Sequence, residues 1–172
     1  MNKDYRHLAH TCFPHATLVA DKYHVVRQVT WAFEKVRKQE QQKFGDSRRK
    51  YFKRSRRLLL KRPDNLSEIE KDQIASMLSV SERLRYAYAL KNEFYHVMDS
   101  KNSYEARKRL GVWNMMAQGY RKELPEFIVC FNTYTNWQKE LLSSFDCPYT
   151  NGYTEGVNNK IKVIKRNAFG VR

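Results

Sequence analysis

The chain holds little of what a disulfide framework, a loop-rich β fold or a membrane span requires. Three cysteines, Cys12, Cys130 and Cys147, stand in 172 residues. They are an odd number without C-x-x-C spacing, so neither a disulfide scaffold nor a structural zinc site is indicated. The expectation is three buried thiols in a reducing cytoplasm. Six glycines and four prolines argue against an all-β design. No run of about 18 apolar residues exists, and no apolar signal stretch opens the chain, so no membrane partner is expected. There is no Gly-rich phosphate loop, no H-E-x-x-H and no G-x-S-x-G, hence no expected small-molecule substrate. Acids are scarce as well. Lys and Arg number 33 against 18 Asp and Glu, a net charge of +15, which favours a polyanionic partner, most simply nucleic acid.

What is present is a helical protein with large core pieces. Hydrophobic residues make up 41% of the chain, with eleven Tyr, nine Phe and three Trp, enough to build a core. Tyr5, Leu8, Ala9 and Cys12 fall at helical spacing before Pro14. ATLVA, residues 16–20, reads as one short buried strand. Asp21 follows as a helix N-cap. Val25, Val26, Val29, Ala32, Phe33 and Val36 then repeat every three to four residues. The stretch from Ser47 to Arg62 carries nine Lys or Arg and no acid. Ser67, Ser81 and Asn102 (or Ser103) each head a further helix, with Glu68 and Glu70 suiting the dipole of the first. Phe127, Ile128, Phe131, Tyr134, Trp137 and Leu141 form a last long stripe before the loop at 145–153. The pattern predicts a mostly α fold with about seven helices and a single strand that has no partner.

Three groups of polar residues stand out. Near the C-terminus the sequence reads TNGYTEGVNNKIKVIKRNAFGVR. Thr154 can cap a helix to about Arg166, in which Val157, Ile161, Ile164 and Ala168 share one arc. Glu155 lies opposite that arc, and Asn158, Asn159, Lys162, Lys165 and Arg166 lie outside it or at its edge. The acid can serve the helix dipole, or it can work as chemistry beside amides and cations suited to phosphate. The second group is DKYH, with Asp21 and His24 on one side of a helix start. The pair is either a cap with a locally bonded imidazole or the bracing of an active site. The third is the basic run, in which Arg48, Arg49, Lys53, Arg56 and Arg57 alternate with Tyr51, Phe52, Leu58 and Leu59. That alternation suits a surface that tracks phosphates and stacks on bases.

At these residues the sequence resembles the bacterial insertion-sequence transposases of the DDE type, in particular the ISL-three group. FPHATLVADKYHVVRQV is similar to that group's "fPnA" turn, hydrophobic strand and D-[RK]-[FY]-H block. The C-terminal stretch is similar to its closing N-G-x-x-E-G-x-N-N-K-I-K-x-x-K-R block. The resemblance implies a ribonuclease-H-like catalytic domain interrupted by a helical insertion. Residues 1–44 would then be a remnant of that core, 45–148 the basic helical insertion and 149–172 the final catalytic helix. It implies three acids holding Mg²⁺ or Mn²⁺, with Glu155 matching the last of them and so both catalytic residue and metal ligand. Asp21, His24, Asn158 and Asn159 would support the active site. Arg48, Arg49, Lys53, Arg56, Arg57, Lys162, Lys165 and Arg166 would hold DNA.

Two of the three acids of that pattern find no match, and the second would stand just before Met1. The expectation is therefore a C-terminal transposase fragment that binds DNA, holds no metal stably and cuts nothing. The alternatives are a stand-alone helical DNA-binding regulator or inhibitor of transposition, and a folded relic without function. A homodimer in which residues 16–20 pair between copies is a further expectation.

Overall fold

A computed structural model describes residues 3–149 and 152–168. Ten α-helices follow one another in it: α1 (Lys3–Cys12), α2 (Lys22–Gln42), α3 (Asp46–Arg54), α4 (Arg56–Leu60), α5 (Glu68–Leu78), α6 (Glu82–Met98), α7 (Ser103–Gly119), α8 (Ile128–Asn136), α9 (Gln138–Asp146) and α10 (Gly152–Asn167). The capping chemistry sets several of the starts. The Asp21 carboxylate accepts from the Tyr23 N–H at 2.8 Å. Ser67 and Glu70 form a reciprocal capping box, and Ser81 and Asn102 accept from Leu84 and Glu105. Each satisfies a backbone donor that the helix itself leaves orphaned.

One core runs from Ala20 to Phe145 and takes side chains from each of α2 to α9. Val25, Val29, Ala32, Phe33 and Val36 are buried along α2, as their spacing predicts. Phe94, Trp113 and Tyr134 meet with ring centroids 4.9–5.4 Å apart. Tyr134 donates to the Val25 carbonyl at 2.7 Å and Trp113 to that of Leu90 at 2.9 Å, so these rings bury area and lose no hydrogen bond. Ion pairs onto buried carboxylates fasten the polar rim. Arg37 holds Glu34 at 2.6 Å, and Arg56 reaches the same carboxylate at 2.8 Å. Arg83 joins Glu40 of α2 to Glu126.

Several expectations change. Residues 16–20 form no strand, and the described residues contain no strand at all. A strand needs a neighbour's ladder. Here the Ala20 N–H donates instead to the Glu140 carbonyl of α9 at 2.9 Å. Nor is the segment buried, since only Ala20 is inside. The basic run is two helices broken at Ser55, and Phe52 and Leu59, one from each, are both buried in the core. The long stripe is likewise split at Trp137. Of the cysteines only Cys130 is buried, and burial pushes its thiol up to about 12. The last helix begins at Gly152, which puts Thr154 inside its first turn. The apolar arc of α10 is uncovered: Val157, Ile161 and Ile164 are 40%, 44% and 57% exposed.

Candidate metal and nucleic-acid site

Asp21 stands where the irregular segment turns into α2, and His24 sits one turn further along that helix. Glu155 comes from the first turn of α10, at the other end of the chain. One ligand atom from each of the three lies within 4.8 Å of the others. His24 Nε2 is 3.9 Å from Asp21 Oδ2, while Asp21 Oδ1 is engaged in capping. Asp21 is half-buried, and His24 and Glu155 are exposed. The structure thus joins Asp21, His24 and Glu155, which in sequence were two separate groups.

The chemistry of this donor set fits one divalent cation. A bound ion with ~2.1 Å bonds needs its ligands roughly 3 Å apart. Exposed carboxylate and imidazole side chains reach that by rotamer adjustment. Two carboxylates with one imidazole suit Mn²⁺ better than Mg²⁺, which prefers oxygen and water throughout. The set does not supply two ions.

Beside the cluster lies a cleft of about 690 Å³ lined by Asp21, Lys22, Tyr23, Ser144, Tyr149 and Glu155, among others. The Lys22 ammonium rests 4.0 Å over the Phe145 ring, and burial holds it below the usual lysine range. It supplies positive charge in the same cleft as Glu155. Asn158 and Asn159, expected to support the site, are exposed on α10 and do not line this cleft. Lys162, Lys165 and Arg166 are exposed further along that helix.

On the far side of Asp21 and His24 a second cleft, about 620 Å³, runs past Arg27 and Gln28 to Trp31 and Trp137. Trp31 also lines a third of about 930 Å³, whose wall carries Lys38, Arg49, Lys50 and Arg56. Of the expected basic residues, Arg49 and Arg56 therefore face one cleft, although Arg56 also braces Glu34. Arg57 is exposed outside that cleft. The side chains of Arg48 and Lys53 lie outside the described residues. Sequence reasoning missed Trp31, Arg27, Lys38 and Lys50. An Arg and a Trp four apart on one helix was the available signal for the first two, and their contact is direct, with the guanidinium 4.3 Å over the ring.

A family model described as "Transposase", of the DDE kind and ISL3 type, matches residues 1–172. The transposase for insertion sequence element IS1001 of Bordetella parapertussis is 29% identical over 166 residues, 92% of this chain and 39% of that protein. The transposase for insertion sequence element IS1557 of Mycobacterium tuberculosis (strain CDC 1551 / Oshkosh) is 30% identical over 128 residues, 74% of this chain and 28% of its own length. An ATP-dependent protease of Lactococcus lactis subsp. lactis is 29% identical over 103 residues, 60% of this chain and 31% of that protein. The chain spans less than two-fifths of the length of these relatives. No solved structure matches it. No helix among the described residues is long and apolar enough to cross a membrane.

Proposed function

The chain belongs to the DDE transposases of the ISL3 type, and from that premise we propose that it serves DNA transposition by holding a DNA strand against a divalent-cation site built from Asp21, His24 and Glu155. The observation that carries this reading is the meeting of those three ligand atoms within 4.8 Å. Periodicity alone leaves Glu155 a dipole acid and Asp21 a cap. Their convergence supports a shared role.

Asp21, His24 and Glu155 would hold the ion, Mn²⁺ or Mg²⁺. When bound, it supplies Lewis acidity at a phosphodiester oxygen and lowers the pKa of a water. The chain's own residues position the substrate. Lys22 would take a phosphate next to the acids. Arg49, Arg56, Lys38 and Lys50 would track the backbone further away, each releasing condensed counterions. Lys162, Lys165 and Arg166 would extend that contact along α10. Asn158 and Asn159 would offer amides to the phosphate from the same helix.

In-line cleavage of a phosphodiester in DDE chemistry uses two ions, and the three ligands suit one. By itself, then, the chain binds DNA without cutting it. In the same reading 1–44 and 149–172 belong to a ribonuclease-H-like core around the helical insertion 45–148. The uncovered arc of α10 supports a further layer packed on it. The 16–20 segment, with Ala20 alone buried, supports a second copy pairing there, which sedimentation would read as a concentration-dependent dimer.

Two assays test the proposal. Filter binding between about 50 and 200 mM salt should give a linear log–log fall with a slope of several units, reduced by about one for each of Arg49→Ala and Lys50→Ala. Supercoiled plasmid with Mg²⁺ or Mn²⁺ should stay intact. Nicking that Glu155→Gln abolishes would contradict the inactivity, and salt-independent binding would contradict the DNA role.

A further inference from the structure

The 620 Å³ cleft has features that a phosphate track does not need. Two indole rings line it, and each carries a guanidinium: Arg27 lies 4.3 Å over Trp31 and Arg6 lies 4.8 Å over Trp137. Trp31 is 57% exposed, unusual for the largest apolar side chain unless a face is kept open. Arg6 is fixed from behind, donating to the Asn136 carbonyl at 3.1 Å and pairing with Glu140 at 2.6 Å.

Position adds to the chemistry. Val19, Ala20 and Asp21 line both this cleft and the one holding Glu155. Trp31 lines both this cleft and the basic one. A strand running from the cations to the acids therefore passes the indoles. An aromatic face next to a guanidinium suits a flat, partly apolar group. A nucleobase is such a group, whereas a phosphate is not. The cleft's volume lies within the range of small-ligand pockets, roughly 300–1,000 Å³, so a base with its sugar fits.

We infer that this cleft is a subsite for one unstacked nucleobase, held on the Trp31 face next to the Asp21–His24–Glu155 cluster. The inference rests on the DNA reading above and deepens it. The chain would grip a strand by its backbone at the cations and by one base at Trp31.

The test compares two single strands of about 12 nucleotides, within the usual footprint of such binders. One is oligo-deoxyadenosine. The other has the same charge but abasic sugars throughout. The intact strand should bind about tenfold more tightly. Trp31→Ala should remove that difference and leave the abasic affinity and its salt slope unchanged, while Trp31→Phe should restore most of it. Trp31 is exposed, so the variant keeps its fold, which circular dichroism checks. Equal affinity of the two strands for the wild-type chain would overturn the subsite and leave the DNA role standing. Trp31→Ala weakening both strands equally would also overturn it. Binding of neither strand would overturn the subsite together with the DNA role.

Discussion

Lys91 shows how far a single side chain departs from its ordinary chemistry here. It is fully buried, and its ammonium has no hydrogen-bond partner. It sits among the rings of Phe33, Tyr88 and Tyr95, at 5.7, 4.4 and 4.9 Å. Burial, helped by the Arg62 charge, pushes its pKa down to about 7. The ring faces temper that cost by attracting the cation. Folded, the group releases its proton near pH 7, whereas unfolded it does so near pH 10.4. Between those values the unfolded state binds more protons, so stability rises with pH across that window, by up to about 1.4 kcal/mol per unit. Below pH 7 the penalty is constant. Lys91→Met should therefore raise the denaturant midpoint at pH 7 and flatten its climb toward pH 9. A midpoint equally pH-dependent in the variant would contradict the burial argument.

At the scale of elements, α10 differs from α2 to α9, which share the core, while no described residue of α10 is buried. Removal of residues 150–172 should leave the melting temperature within a degree or two. Trp113→Ala, which opens the centre of the core, should cost about 3–5 kcal/mol. A large loss on truncation would show that α10 braces the bundle. The sequence made the core-facing helices legible because their apolar residues recur at helical spacing and Ser67, Ser81 and Asn102 announce their starts. It misread 16–20 for a physical reason. An apolar run reads as a buried strand only when a ladder and cover exist, and neither is supplied by the described residues. It missed the break of the basic run at Ser55, because Phe52 and Leu59 stand seven residues apart and would share a face of one continuous helix. The arc of α10 was visible in the sequence. That nothing among the described residues covers it was not, since periodicity shows a face and never its partner.

At the scale of the molecule, residues 21–24 and 155, far apart in sequence, come together. Glu155, Asp21 and His24 were legible as residues worth noticing, and their resemblance to family blocks gave Glu155 its expected role. Their proximity is a tertiary fact that spacing along the chain cannot carry. The same holds for the run of clefts from Glu155 past Asp21 and Trp31 to Arg49 and Arg56, which draws on five separate segments. The central claim is that the three ligands act as one site. Titration with Mn²⁺ followed by electron paramagnetic resonance, on the whole chain and on Asp21→Asn, His24→Ala and Glu155→Gln, reads it without any DNA. The account predicts one ion per chain, with affinity falling about tenfold or more in each variant. Binding that survives unchanged in Glu155→Gln while Asp21→Asn loses it would separate the ends of the chain and contradict the account.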